Sequence, residues 1–200
     1  NRYFKDKGFR PLSFQKTAWE RTAHGVHQLI QCPTGSGKTL AATGAMIERL
    51  LTERSLKGLR LLYVTPLRAM TKDLELALKD PFEASEVRIL ARNGDTSAKD
   101  RASLFRKPPH ILMTTPESLS VILSSPKSID LFSTLESIVV DEWHDLLSSK
   151  RGVQMSLCLS RLMRLSKRPT ITGISATIKD PYVALEALLP NGVSGQLTQA

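Results

Sequence analysis

Short apolar runs alternate with amphipathic stretches along the chain. The runs are Val26–Gln31, Leu59–Thr65, Val87–Ala91, Ile111–Thr114, Ser137–Asp141 and Thr170–Ser175. Alternation of β-rich runs with helical patterns predicts an α/β domain, a mainly parallel sheet covered by helices. Leu40, Gly44, Ile47 and Leu51 recur at helical spacing and share one face of a predicted helix. Helix starts are marked by Ser97 with Asp100 as a capping box, by Pro116 after Thr115, and by Asp180 before Pro181. After Pro190 the pattern fades, and the chain runs to Ala200 without a recognisable cap. In such a sheet ligands bind at the carboxyl ends of the strands.

Composition narrows the class. With 200 residues, 41% hydrophobic and 24% charged, the chain fits one domain with a real core and not a disordered segment. No repeat, signal-peptide core or apolar run of membrane-spanning length occurs. Cys32 and Cys158 are too few for a disulfide framework and lie in no metal-ligand spacing, which points to a reducing, cytoplasmic setting. A net charge of +9 is compatible with a polyanionic partner, but a solvated basic surface would give the same number.

Chemistry enters with Cys32-Pro33-Thr34-Gly35-Ser36-Gly37-Lys38-Thr39, set between a predicted strand and a predicted helix. A loop that turns its amides onto phosphates needs glycine where side chains would block the approach, and Gly35 and Gly37 supply it. Thr34, Gly35, Ser36 and Gly37 would cradle ATP at the helix N-terminus, and Lys38 would reach the β and γ phosphates. Thr39 would ligate Mg²⁺ through its hydroxyl. Cys32 stands where the general phosphate-loop pattern has glycine.

Ser137-Ile138-Val139-Val140-Asp141-Glu142-Trp143-His144 is the second anchor. An apolar strand ending in adjacent carboxylates delivers both to the phosphate side of the sheet. Asp141 is placed to hold Mg²⁺, and Glu142 to orient and deprotonate the attacking water.

Asp141-Glu142-Trp143-His144 resembles the DExH box of superfamily 2 helicases, and further blocks follow in the family's order. Phe14-Gln15 resembles the Q motif, which implies that Gln15 reads adenine; Phe9 is either a base-stacking ring or part of the core. Thr65-Pro66-Leu67-Arg68-Ala69 resembles motif Ia, and Thr114-Thr115-Pro116-Glu117 resembles motif Ib. Asn93-Gly94-Asp95-Thr96 resembles the glycine-containing block between them. The resemblance places Pro66, Arg68, Gly94, Thr115 and Pro116 along the nucleic-acid path. Ser175-Ala176-Thr177 resembles motif III, which makes Ser175 and Thr177 coupling residues. It implies that His144 joins hydrolysis to motion. Trp143 and the Ser148–Gln154 segment resemble the large helicase-related branch, and the tryptophan form is similar to bacterial ligase-associated DExH-box helicases.

The resemblance implies a RecA-like, three-layer P-loop NTPase domain spanning residues 1–200. It implies a motor that couples ATP hydrolysis to translocation on, and unwinding of, a single strand or tailed duplex in DNA repair. DNA is expected ahead of RNA, with RNA and hybrid duplexes left open. The family's second RecA-like domain, carrying motifs IV to VI and an arginine finger, has no counterpart after Thr177. The chain is therefore expected to bind ATP but hardly hydrolyse it. A translocase or remodeller that does not unwind would carry the same motor. A small P-loop kinase would leave Asp-Glu-Trp-His and Ser-Ala-Thr unexplained, and a binding-only clamp would have no need of Glu142.

Overall fold

The computed structural model describes residues 8, 10–53, 55–66, 72–83, 85–94, 103–176 and 178–200. Phe9, Leu67, Arg68, Ala69, Asp95, Thr96, the Ser97–Asp100 box and Thr177 lie outside them.

The strands are β1 His27–Gln31, β2 Leu61–Val64, β3 Ile89–Arg92, β4 Ile111–Thr114, β5 Ser137–Val140, β6 Thr170–Ser175 and β7 Gly195–Gln199. They form one sheet in the order β3-β4-β2-β5-β6-β1-β7. Every pairing is parallel. The helices are α1 Ser13–Ala23, α2 Lys38–Thr52, α3 Lys72–Lys79, α4 Pro116–Leu123, α5 Ser128–Phe132, α6 Trp143–Leu147, α7 Lys150–Leu165 and α8 Pro181–Leu188.

Strand residues alternate between two cores, because successive side chains point to opposite faces. Leu62, Val64, Leu112, Ile138 and Val140 pack with α4, α5, α6, α7 and α8. Leu61, Tyr63, Ile111, Met113 and Val139 pack with α1, α2 and α3. A sheet buried on both faces needs apolar side chains on both, which is why β2, β4 and β5 read as continuous runs.

Local chemistry sets the helix ends. Thr115 caps α4, its hydroxyl accepting from Ser118 N at 3.3 Å with Pro116 in the first turn. Asp180 caps α8 by accepting from Val183 N at 3.1 Å. Gly44 and Ile47 are buried on α2, with Leu40 and Leu51 partly buried beside them, so the predicted face holds. Gly44 is there for space: a Cβ would sit 2.4 Å from Trp19 Nε1, and that indole donates to Leu40 O at 2.9 Å.

The segment after Pro190 departs from the expectation. It forms β7, paired with β1 in register from His27↔Gly195 to Gln31↔Gln199. Side chains secure it: Thr198 donates to Gln28 Oε1 at 2.8 Å, Gln199 Nε2 to Gln31 Oε1 at 2.8 Å, and Arg21 to Leu197 O at 2.8 Å. No described helix is long and apolar enough to cross a membrane.

Candidate nucleotide site

The carboxyl ends of β1, β5 and β6 meet at one edge of the sheet. After β1 the chain turns through residues 32–37 into α2. Gly35 and Gly37 hold φ of 75° and 81°, the left-handed region that glycine enters without a Cβ penalty. Thr34, Gly35 and Gly37 are exposed and Ser36 is half-buried, its hydroxyl donating to Pro33 O at 2.7 Å. Among the described residues, no backbone carbonyl accepts from the N–H groups of residues 34–37. A loop with free amides at the start of a 15-residue helix fits an anion. Cys32, the departure from the glycine pattern, is buried and donates its N–H to Ser175 O at 3.2 Å. Burial pushes its thiol pKa up, so it is a packing residue in a neutral state.

Lys38 begins α2 and places Nζ 2.5 Å from Glu142 Oε1, both side chains largely shielded. Burial opposes the lysine's charge, but the Glu142 hydrogen bond and the Asp141 and Glu142 charges outweigh it and raise the pKa. Glu142 takes φ 50° and ψ 43°, a left-handed conformation for a non-glycine residue. That geometry costs about 1–2 kcal/mol.

Asp141 lies at the end of β5 and is 4% exposed, its N–H bonded to Val64 O at 2.8 Å. Both carboxylate oxygens are gripped: Tyr63 OH donates to Oδ2 at 2.6 Å and Glu142 N to Oδ1 at 2.8 Å. Burial raises the Asp141 pKa, with Tyr63 and Lys38 pulling the other way. Burial and the neighbouring Asp141 charge hold the Tyr63 phenol well above its ordinary pKa, so it stays a donor. The Asp141 carboxylate and the Thr39 hydroxyl are hard oxygen donors, suited to a small divalent cation that keeps its other positions for phosphate and water. The described residues hold no cluster of three or more His, Cys, Asp or Glu side chains. This donor set fits Mg²⁺.

His144 follows on α6. Its Nδ1 accepts from Ala176 N at 3.3 Å. The same Nδ1 lies 3.5 Å from Glu142 Oε2, so the ring stands between Glu142 and Ala176. Ser175 is fully buried, and among the described residues its hydroxyl has no hydrogen-bond partner. Trp143 turns the other way, burying its indole and donating to Ala184 O at 2.8 Å on α8.

Gln15 is buried at the foot of the loop. Its Oε1 accepts from Leu12 N at 2.9 Å and its Nε2 donates to Gly37 O at 3.2 Å. One N–H and one lone pair of the amide are left for a base.

The expected nucleic-acid residues are less uniform. Gly94 is exposed, whereas Pro66, Thr115 and Pro116 are buried. Thr65 N donates to Thr114 O at 3.0 Å, which brings the ends of β2 and β4 together. Pro66, Thr115 and Pro116 thus shape this corner through the backbone. Thr65 and Thr114 carry buried hydroxyls without partners among the described residues. Sequence reasoning missed Tyr63, whose signal was a hydroxyl in a strand buried on both faces, and the Trp143 link to α8.

A family model for DEAD/DEAH box helicases matches residues 12–185. The chain belongs to the DEAD/DEAH box helicase family. Among members, it is 41% identical to the ATP-dependent helicase Lhr-Core of Methanocaldococcus jannaschii, over 94% of this chain and 24% of that protein. It is 40% identical to the Lhr-Core of Methanothermobacter thermautotrophicus, over 77% of this chain and 20% of that protein. The solved structure of Mycobacterium smegmatis helicase Lhr bound to ssDNA and AMP-PNP matches all of this chain with a TM-score of 0.89 at 32% identity, and the match covers 27% of that structure's chain. The fold is the RecA-like domain of these helicases. The chain spans roughly a quarter of the length of these relatives.

Proposed function

We propose that this domain binds ATP with Mg²⁺ and, joined to a second RecA-like domain in a full-length cytoplasmic protein, couples hydrolysis to movement along nucleic acid. The observation that carries this reading is the convergence of Lys38, Asp141 and Glu142 beside a loop of free amides. The amides of residues 34–37 would hold the phosphates, and Gln15 would offer its remaining N–H and lone pair to adenine. An arriving phosphate would take the Lys38 ammonium away from Glu142, freeing that carboxylate to accept the proton of an attacking water. Mg²⁺ held by Thr39 and Asp141 would neutralise charge on the β and γ phosphates. His144 touches both Glu142 and the Ala176 amide, so a change at Glu142 is felt at the end of β6, where Ser175 and Thr177 would serve coupling.

The strand partner is DNA ahead of RNA, as a single strand or tailed duplex, and the task is unwinding in repair. The Lhr structure with ssDNA and AMP-PNP supports this reading. Contacts would involve Pro66, Arg68, Gly94, Thr115 and Pro116. The test is phosphate release from Mg·ATP with and without single-stranded DNA or RNA. The 200-residue chain should turn over slowly and respond little to either strand. Full-length protein should be strongly stimulated, by DNA more than by RNA, because closure of the second domain completes the site. Robust strand-stimulated turnover by the chain alone would overturn the two-domain account. An unstimulated full-length protein would overturn the motor, and stimulation without strand displacement would identify a translocase.

A further inference from the structure

Tyr63 is the one polar side chain in β2 and is fully buried. Packing alone does not call for its hydroxyl. The ring lies among Ile30, Cys32, Ala41 and Val139, where phenylalanine would fill the same space without a polar atom to satisfy. The register explains where the hydroxyl goes. Tyr63 pairs with Val139, and Asp141 lies two residues further on, on the same side of the sheet. A phenol leaning along the strand therefore meets the Asp141 carboxylate, at 2.6 Å. Glu142 N holds the other oxygen at 2.8 Å, so the carboxylate plane is fixed by donors on both sides. Each Asp141 oxygen keeps a free lone pair.

We propose that Tyr63 is a positioning residue for the metal: its hydroxyl holds the Asp141 carboxylate in the orientation that receives Mg²⁺. The inference rests on the reading of Asp141 and Thr39 as metal ligands. Groups that orient a metal's ligands contribute about 10- to 100-fold in metal affinity when removed.

Tyr63→Phe separates this role from packing, since only the hydroxyl is lost. Binding of Mn²⁺ to the protein with AMP-PNP, followed by the electron paramagnetic resonance of the free ion, should weaken at least tenfold. AMP-PNP binding measured in EDTA should change less than twofold. In an Asp141→Asn background, adding Tyr63→Phe should change Mn²⁺ affinity little, because the phenol acts through the carboxylate. Unaltered Mn²⁺ affinity in Tyr63→Phe, with a clear loss in Asp141→Asn, would overturn the role of Tyr63 alone. No loss in Asp141→Asn would instead overturn the metal-ligand reading beneath it. A Tyr63→Phe protein that also loses nucleotide binding in EDTA would make the hydroxyl a requirement of the fold, and the proposal would fall.

Discussion

Lys38 and Glu142, one at the first turn of α2 and the other just past β5, form an ion pair of 2.5 Å. The cation expected to meet phosphate and the carboxylate expected to meet water occupy each other. On the proposed roles, nucleotide would have to displace a charge-assisted bond before either group could act, and the apparent affinity for ATP would contain that cost.

Lys38→Ala should weaken AMP-PNP binding about 10- to 150-fold, since hydrogen bonds to charged groups contribute about 1.5–3 kcal/mol. Calorimetry with the analogue and Mg²⁺ reads this directly. Wild-type affinity in the variant would mean that the phosphates sit elsewhere.

Glu142→Gln keeps the shape of the side chain but weakens its hold on Lys38. Binding of AMP-PNP should be retained or slightly tightened. Turnover by full-length protein should fall about 10²- to 10⁴-fold, the usual contribution of a general base. Near-normal phosphate release would place the base on another residue.

Gly44→Ala brings two effects of opposite sign. Alanine in a helix is favoured over glycine by about 0.8–1 kcal/mol. Against this, the new methyl would meet the Trp19 ring at 2.4–2.8 Å, and the ring is tied by its bond to Leu40 O. Overpacking costs typically ~1–3 kcal/mol, so it should win and leave the variant less stable. Urea denaturation measures the sign, and a stabilised variant would show that Trp19 moves freely.

Cys158 is buried on α7, and burial pushes its thiol up to about 11. The folded pKa lies above that of an unfolded thiol, so the contribution is complete below about pH 8.5 and disappears as pH rises toward 11. The loss should be on the order of 3 kcal/mol across that window. Cys158→Ala should flatten the decline between pH 9 and 11 relative to wild type. Parallel declines in urea midpoint would clear the cysteine.

Strands β4 and β6 were legible to the residue, β4 as an apolar run and β6 as a short stretch rich in β-branched Thr and Ile. The phosphate loop and the acid pair were legible because their chemistry restricts residue type at fixed spacing. β7 was hidden for the opposite reason. Gly195-Gln196-Leu197-Thr198-Gln199 has little apolar content, and its support comes from Gln28, Gln31 and Arg21, far away in sequence. Tyr63 could be read as core and is core; only the register with β5 reveals what its hydroxyl meets. Thr115 and Pro116 were legible as a helix start, and the cap accounts for the threonine's hydroxyl.

The sheet order bears on how the protein is made. β1, which leads into the glycine loop of residues 32–37, is flanked by β6 and β7, the strands latest in sequence among the described ones. The bond from Ile171 N to His27 Nδ1 spans 144 residues, and that from Thr198 to Gln28 spans 170. Until those segments leave the ribosome, β1 has neither neighbour and the loop has no fixed floor. Non-local parallel pairing of this kind folds slowly and leaves apolar strands open to wrong partners meanwhile. The candidate site is encoded early in this domain but needs the domain's later strands as its floor, so ATP binding would wait until those strands have been made.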